Sequence, residues 1–263
     1  MITAHVVNAH NKHLYENEFD EFLRRRHDFF VHQKRWRPPS PDGRELDQFD
    51  TDAATYLLGI EDGRVVTSAR LIPTSEPHMV SEVFSHMCEK SGVPRRPDWA
   101  EWTRTFVVPD KRTAGLRGTL TQLCCAVMEY ALDEGLSAVG GVQETYFMPH
   151  HGALKWRAEP MGMAREENGE WYIVAYIDVN EAALASVRKI LRINNSLLVR
   201  RGAQPFISPL AREALGGRLM SSSGPSLEGD RVKVFLSTRH AATTKEEDHA
   251  TRIDNRKFLY CFA

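Results

Sequence analysis

The chain has 263 residues, 42% of them hydrophobic and 26% charged, which is the composition of a globular protein able to bury a sizeable core. Its 34 basic and 35 acidic side chains leave a formal net charge of -1, which excludes the strong basic field of a nucleic-acid-binding protein. No stretch approaches the roughly 20 apolar residues that span a bilayer, and the opening MITAHVVNAHNKHLYENEFDEF lacks the basic flank and apolar block of a secretory signal.

Residues 14–30 carry Leu14, Phe19, Phe22, Leu23, Phe29 and Phe30 at near-helical spacing around Arg24, Arg25 and Arg26, and predict a helix. The turn RPPSPDG at 37–43 stops it, since proline has no amide to give a helix interior. An extended acidic segment, ELDQFD, follows. TYLLGIED (55–62) and RVVTSARLIP (64–73) predict strands joined as a hairpin through Asp62-Gly63. A short helix is predicted over 78–91, a strand over Thr103–Val108, a loop over 109–118 and a helix over 119–132. Leu120, Leu123, Val127, Met128 and Ala131 form the stripe of that last helix, and Gly135 ends it. SAVGGV (137–142) reads as strand, 149–156 as helix, WYIVAYIDV (171–179) as buried strand and 181–201 as helix. The order gives a mixed α/β sandwich. Beyond Gln204 the texture changes: GGRLMSSSGPSLEGD predicts a partly flexible C-terminal extension over 205–263, with one further strand at 231–238 and no assigned role.

Cys88, Cys124, Cys125 and Cys261 show no C-x-x-C spacing, which points to a reduced, cytoplasmic protein. His10, His13, His150 and His151 lack partner ligands at sensible spacing, so no metal is expected, and no serine or cysteine sits in a nucleophile motif. The strand, loop and helix across 103–132 form a unit in which free amides at the helix start favour a phosphate; Arg112, Gly115, Arg117 and Gly118 are the candidates.

A set of spaced residues runs from 26 to 104: Arg26-x3-Phe30-x5-Trp36, Asp47-x2-Asp50, Arg70 within SARLIPT, Phe84, and Glu101-x2-Arg104. With the words YLLGIEDGRVVTSARLIPT, HMVSEVFSHM and EWTR, the set resembles the acyl-homoserine-lactone synthases over residues 14–180. These are the LuxI-type autoinducer synthases of bacterial quorum sensing. The resemblance implies an acetyltransferase-like (GNAT-type) α/β/α sandwich with a mixed, mostly antiparallel sheet, and a catalytic domain over 1–204. It implies two substrates and no prosthetic group. One is S-adenosylmethionine, and the other is a fatty-acyl thioester on acyl carrier protein or coenzyme A. The amine of S-adenosylmethionine takes the acyl group, and the methionyl carboxylate then displaces the sulfonium, closing a lactone and releasing methylthioadenosine. The acetyltransferase loop pattern, Gln/Arg-x-x-Gly-x-Gly/Ala, is met by Arg112 and Gly115, but Arg117 stands where the second small residue belongs and Gly118 comes one place late.

The residue types suit this chemistry. Trp36 and Phe30 offer faces to a sulfonium, Asp47 and Asp50 offer acids, and Arg26, Arg70 or Arg104 offers a guanidinium for a carboxylate. Acyl transfer needs a neutral amine, so a base must take a proton directly or through water; Glu101 is the candidate, with Arg104 holding it ionised. Glu101, Arg104 and Asp47 are the expected catalytic residues, with Arg26, Phe30, Trp36, Asp50, Arg70 and Phe84 binding substrate. Residues i and i+3 of a regular strand face opposite sides, so Glu101 and Arg104 share a site only if the strand starts at Thr103 or carries a bulge. A bulge would also open a slot for the donor. Val107, Leu123, Val127 and Phe147, with Phe84, are expected to wall the acyl chain. Arg24, Arg25, Lys34 and Arg35 form a basic neighbourhood suited to an acidic carrier protein, with Arg188, Lys189 and Arg192 as a second candidate. Two rival readings stand beside this one: a related N-acyl amino acid synthase that makes no lactone, and a non-catalytic binding protein on the same scaffold.

Overall fold

The computed structural model describes residues 1–204 other than 114, 168 and 203. The extension over 205–263 and the strand expected at 231–238 lie outside the described residues. In chain order the elements are β1 (Thr3–Val7), α1 (Glu16–His27), β2 (Thr55–Glu61), β3 (Arg64–Pro73), α2 (Met79–Glu82), β4 (Trp99–Val107) and α3 (Thr119–Asp133). There follow β5 (Ala138–Glu144), α4 (Met148–Ala153), β6 (Ala158–Pro160), β7 (Arg165–Glu167), β8 (Glu170–Asp178), α5 (Glu181–Leu191) and β9 (Leu198–Arg200). The strands form one sheet in the order β6-β8-β5-β4-β3-β2-β1-β9, with β7 on β8. Among the described residues only the β4–β5 and β1–β9 pairs are parallel.

The Asp62-Gly63 hairpin forms with both residues in the left-handed region, at φ 53° and 73°. β3 is buried from Val65 to Pro73, which requires cover on both faces; α1 and α3 both pack on it, and α5 packs on α3. The buried stripe of α1 is Phe19, Phe22 and Leu23, and Phe22 meets the rings of Tyr56 and Phe106 at 5.3 and 6.4 Å. Burying one such ring stabilises the fold by about 1.5–3 kcal/mol.

Four departures from the sequence reading have local causes. The 78–91 helix shrinks to α2 and a 3-10 turn at Ser85–Met87. β4 begins at Trp99 rather than Thr103. The helix expected over 181–201 stops at Leu191, where Arg192 adopts φ 61°, and the chain returns as β9 beside β1. β1, β6, β7 and β9 went unread because strands of three to five residues carry almost no period.

Two irregularities shape the centre of the sheet. Ser68 pairs with Phe106 and Arg70 with Thr103, so Ala69 of β3 faces both Arg104 and Thr105 of β4. This is a β-bulge, and its residue Arg104 has φ 56°. The parallel β4–β5 register covers only Trp99–Glu101 against Ala138–Gly140, although both strands run on past it. The strands part just after Glu101.

Gly140 lies where this opening begins, and a Cβ there would sit 2.1 Å from the Ala175 carbonyl oxygen of β8. Gly140→Ala must therefore push β5 and β8 apart. It is expected to lower the unfolding free energy by about 1–3 kcal/mol, the usual range for overpacking. Denaturant titration checks this, and an unchanged midpoint would refute the close approach.

Candidate active site

The acidic segment after the proline turn folds back onto the sheet. There Glu45, Asp47 and Asp50 meet Arg26 of α1, Arg70 of β3 and Arg104 of β4, and none of the six side chains is more than 4% exposed. Arg26 Nε donates to Glu45 at 2.6 Å, and its Nη1 and Nη2 donate to the two oxygens of Asp50 at 2.7 and 2.9 Å. Arg70 Nη1 donates to Asp47 at 2.6 Å and Asp50 at 3.0 Å, while its Nε donates to Thr103 Oγ1 at 3.2 Å. Arg104 donates to Glu45 at 3.0 Å and also to Asp47. The Tyr56 hydroxyl adds a bond to Asp50 at 2.8 Å. Asp47 Oδ1 takes the Phe49 amide at 2.9 Å, a local turn that aims both aspartates at the arginines.

Burial alone would push all three carboxyl groups up. The guanidinium groups of Arg104 and Arg26 outweigh it at Glu45, those of Arg104 and Arg70 at Asp47, and those of Arg26 and Arg70 at Asp50, and each stays below the ordinary carboxylate range. Aromatic rings adjoin the cluster. Phe30 stacks on Trp36 at 5.7 Å, the Arg104 guanidinium lies 5.0 Å from the Phe30 ring, and Lys34 Nζ lies 5.1 Å from the Trp36 ring. Phe30 is buried, and Trp36 is half-buried.

Glu101 lies two residues before Thr103 on β4, on the same side of the sheet, and is fully buried. Its oxygens accept the amides of Met79 at 2.9 Å and Val80 at 2.7 Å. Burial raises its pKa against the opposing pull of His78, these two amides and Arg70. The sequence reading paired Glu101 with Arg104. The structure corrects the partners: Arg104 turns to Glu45 and Asp47, and Glu101 to the start of α2. The bulge carries Arg104 round to this face.

Beyond the parting of β4 and β5 is a cavity of about 380 Å³ lined by Phe29, Lys34, Val107, Arg112, Gly118 and Tyr146 among others. Gly115 lines it as well, at φ 92°, whereas Arg117 is exposed. Arg112 spans the wall, donating to the Val107 carbonyl at 2.7 Å and to Gln33 at 2.6 Å. Phe84, Leu123, Val127 and Phe147 are buried in the core. The basic neighbourhood is largely self-paired, Arg24 with Asp20 at 2.9 Å, Arg25 with Glu21 at 3.1 Å and Lys34 with Glu144 at 3.0 Å; Arg35 is exposed. In the second basic group Arg188 pairs with Glu129 at 3.0 Å. Burial raises the thiol of Cys88 to about 11 and that of Cys125 to about 12, which keeps both protonated at neutral pH.

The sequence reading missed Glu45, Tyr56, Thr103 and His78. Charge counting would have found Glu45: three arginines in apolar surroundings need three anions, and Glu45 stands two residues ahead of Asp47. His27, Asp28 and His32, which the sequence reading did not weigh, bring possible ligand atoms within 4.8 Å of one another. His27 Nε2 there accepts the Ser40 amide at 3.2 Å.

Comparison with known proteins agrees with this geometry. The autoinducer synthase family model matches residues 10–187. The isovaleryl-homoserine lactone synthase of Bradyrhizobium diazoefficiens is 36% identical over 81% of this chain and 95% of its own length. An acyl-homoserine-lactone synthase of Dickeya dadantii is 26% identical over 74% of this chain and 93% of its own. Among solved structures, the CoA-dependent acyl-homoserine lactone synthase BjaI with SAM and isopentyl-CoA superposes with a TM-score of 0.74 at 34% identity, covering 81% of this chain and all of that one. The CoA-dependent synthase MesI gives 0.69 at 33% identity, over 74% of this chain and 98% of its own. The sheet order, the buried cluster and these matches together place the chain in the autoinducer synthase family.

Proposed function

We propose that this chain is an acyl-homoserine-lactone synthase that acylates the amine of S-adenosylmethionine from an acyl-CoA thioester and then closes the lactone. The observation that carries the reading is Glu101: a buried carboxylate of raised proton affinity, on the same sheet face as the six-group ion cluster, at the point where β4 and β5 part.

In this reading the cluster and the Phe30–Trp36 stack hold S-adenosylmethionine, the aromatic faces toward the sulfonium and the ionised aspartates toward its other polar groups. Glu101 takes a proton from the ammonium. The freed amine attacks the thioester carbonyl, the C–N bond forms, the C–S bond breaks and the thiol leaves. A carboxylate oxygen of the methionyl group then attacks the carbon bound to the sulfonium. That C–S bond breaks, the ring closes, and methylthioadenosine departs. The cavity bounded by Val107, Arg112 and Gly118 would take the donor arm, with helix-start amides near its phosphate.

Two things favour coenzyme A over a carrier protein. BjaI and MesI are CoA-dependent. The basic neighbourhood also spends Arg24, Arg25 and Lys34 on its own acids, leaving little excess charge for an acidic carrier. The catalytic unit is assigned to residues 1–204, in keeping with the span of the family model. No described helix is long and apolar enough to cross a membrane. A cytoplasmic site of action fits the buried free thiols of Cys88, Cys124 and Cys125.

Mass spectrometry of the reaction with S-adenosylmethionine and mixed acyl donors tests the whole reading, since it expects methylthioadenosine and an acyl-homoserine lactone. Glu101→Gln should lower kcat by about 10²- to 10⁴-fold while calorimetry still detects S-adenosylmethionine binding; loss of both would indicate a structural role. In the wild type the base works ionised, so kcat should fall as pH drops through a value above the ordinary carboxylate range. The same acyl group should give a higher kcat/KM on coenzyme A than on carrier protein, and the reverse order would return docking to the basic face. A chain ending at Gln204 should retain synthesis in the same assay.

A further inference from the structure

The chain does not leave α1 as a regular helix. After His27 it enters a π-helical turn, Asp28–Gln33, and the Lys34 amide donates at 2.9 Å to the Phe29 carbonyl five residues back. Such turns are rare and occur mostly at functional sites. In an α-helix, residues five apart point about 140° away from one another. The wider turn brings His27 and His32 together instead, their rings edge to face with centroids 4.9 Å apart. One ligand-type atom from each of His27, Asp28 and His32 lies within 4.8 Å of the others.

The three side chains are held differently. His27 is buried, and its Nε2 accepts the half-buried Ser40 amide at 3.2 Å, so Nε2 carries a lone pair and Nδ1 carries the ring hydrogen. That is a neutral imidazole, the form that ligates metals. Asp28 and His32 are exposed, and both line a cavity of about 350 Å³ that gives solvent a way in. Two arginines also line it, and neither points its charge at the trio. Arg25 is paired with Glu21 at 3.1 Å, and Arg112 gives its guanidinium to the Val107 carbonyl and Gln33.

We propose that His27 Nε2, one nitrogen of His32 and the Asp28 carboxylate bind a divalent ion of the zinc class, with water completing a four-coordinate shell. Two imidazoles and one carboxylate select borderline ions such as Zn²⁺ and Co²⁺ over Mg²⁺ and Ca²⁺, which prefer all-oxygen shells. Metal–ligand bonds of about 2.0–2.2 Å in a tetrahedral shell set the ligand atoms about 3.3 Å apart. The trio therefore closes by at most about 1.5 Å, which side-chain rotation of the two exposed members supplies while the buried one stays fixed. The ion takes the lone pair that the Ser40 amide now holds. One long hydrogen bond is exchanged for a metal–nitrogen bond, and the half-buried amide turns to water. The bound ion fastens the turn that carries Phe29 and Phe30 to the end of α1. The site lies outside the ion cluster and Glu101, and it stands or falls independently of the synthase reading.

The test titrates the full chain, free of any histidine tag, with Co²⁺ and then Zn²⁺. One equivalent of Co²⁺ should raise the visible d–d bands of a four-coordinate site, and Zn²⁺ should bleach them. Tm should rise with added Zn²⁺, because the ion binds the folded chain. His32→Ala and Asp28→Asn alter exposed side chains, so both should keep the metal-free Tm of the wild type. His32→Ala should lose the bands and the Tm rise, Asp28→Asn should weaken both, and His10→Ala, at an exposed histidine outside the trio, should leave both intact. The Nε2 resonance of His27 should shift on Zn²⁺ addition, which reads the buried ligand without replacing it. Absent bands, equal binding by His32→Ala, or an unmoved His27 resonance would each overturn the site, the second outcome showing adventitious binding elsewhere on the surface.

Discussion

Three arginines and three carboxylates, all withdrawn from water, tie α1, the segment around Glu45–Asp50, β3 and β4 into one unit. None of these charges would be tolerable alone in the interior, because desolvating one ion costs several kcal/mol. Together they sum to zero, and each guanidinium fork meets a carboxylate, so no member can move without exposing another. The cluster also explains the bulge. Arg104 sits at φ 56°, a conformation that costs a non-glycine residue about 1–3 kcal/mol. A regular strand would turn Arg104 to the other face and leave Glu45 and Asp47 short of a cation. The ion pairs hold the strained backbone in place, and the strained backbone supplies the ion pairs.

The same face of β4 carries a carboxylate in the opposite condition. Asp47 and Asp50 are buried and held ionised by neighbouring guanidinium groups, whereas Glu101 is buried with only amides, His78 and a more distant arginine to oppose desolvation. Two environments a few residues apart therefore divide the work. In the proposed reaction the fixed anions would position a cationic substrate, and the carboxylate of raised proton affinity would perform the transfer. This separation depends on Arg104 pairing with Glu45 rather than with Glu101. A direct Glu101–Arg104 pair would have lowered the proton affinity of the base and weakened it.

Much of this was legible in the sequence. The hairpin at Asp62-Gly63, helix α3 and strand β8 follow from turn chemistry and hydrophobic period. The convergence of Arg26, Asp47, Asp50, Arg70, Arg104, Phe30 and Trp36 was implied by the family resemblance that their joint spacing carries. The bulge was legible as one of two ways for residues 101 and 104 to share a face, and the start of β4 at Trp99 rather than Thr103 leaves it as the one realised. What failed was partner choice. Spacing says which charges are near one another, not which atoms touch, so Glu101 was paired with Arg104 although backbone amides at α2 satisfy it. Glu45 escaped because an acidic segment outside any period reads as solvated, and His78 because a lone histidine carries no pattern. Strands β1 and β9 escaped because short strands buried by long-range pairing leave no local trace.

The opening between β4 and β5 is kept by rim contacts rather than by filling. Past Glu101 the two strands share no register, and a gap between bare strand edges would tend to close on itself or recruit another strand. Lys34, carried by the stretch after α1, reaches across to both oxygens of Glu144 at the end of β5, at 3.0 and 3.2 Å. From the other side Arg112 binds the Val107 carbonyl at the end of β4 and Gln33 beside Lys34. The segment 33–34 thus braces both diverging strand ends at once, with the Phe29 ring between them facing the cavity. That segment leads directly to Phe30 and Trp36, so the faces assigned to the sulfonium and the slot assigned to the thioester share one rigid support. In the proposed reaction that shared support would hold the amine and the thioester carbonyl in fixed relation through Lys34 and Arg112.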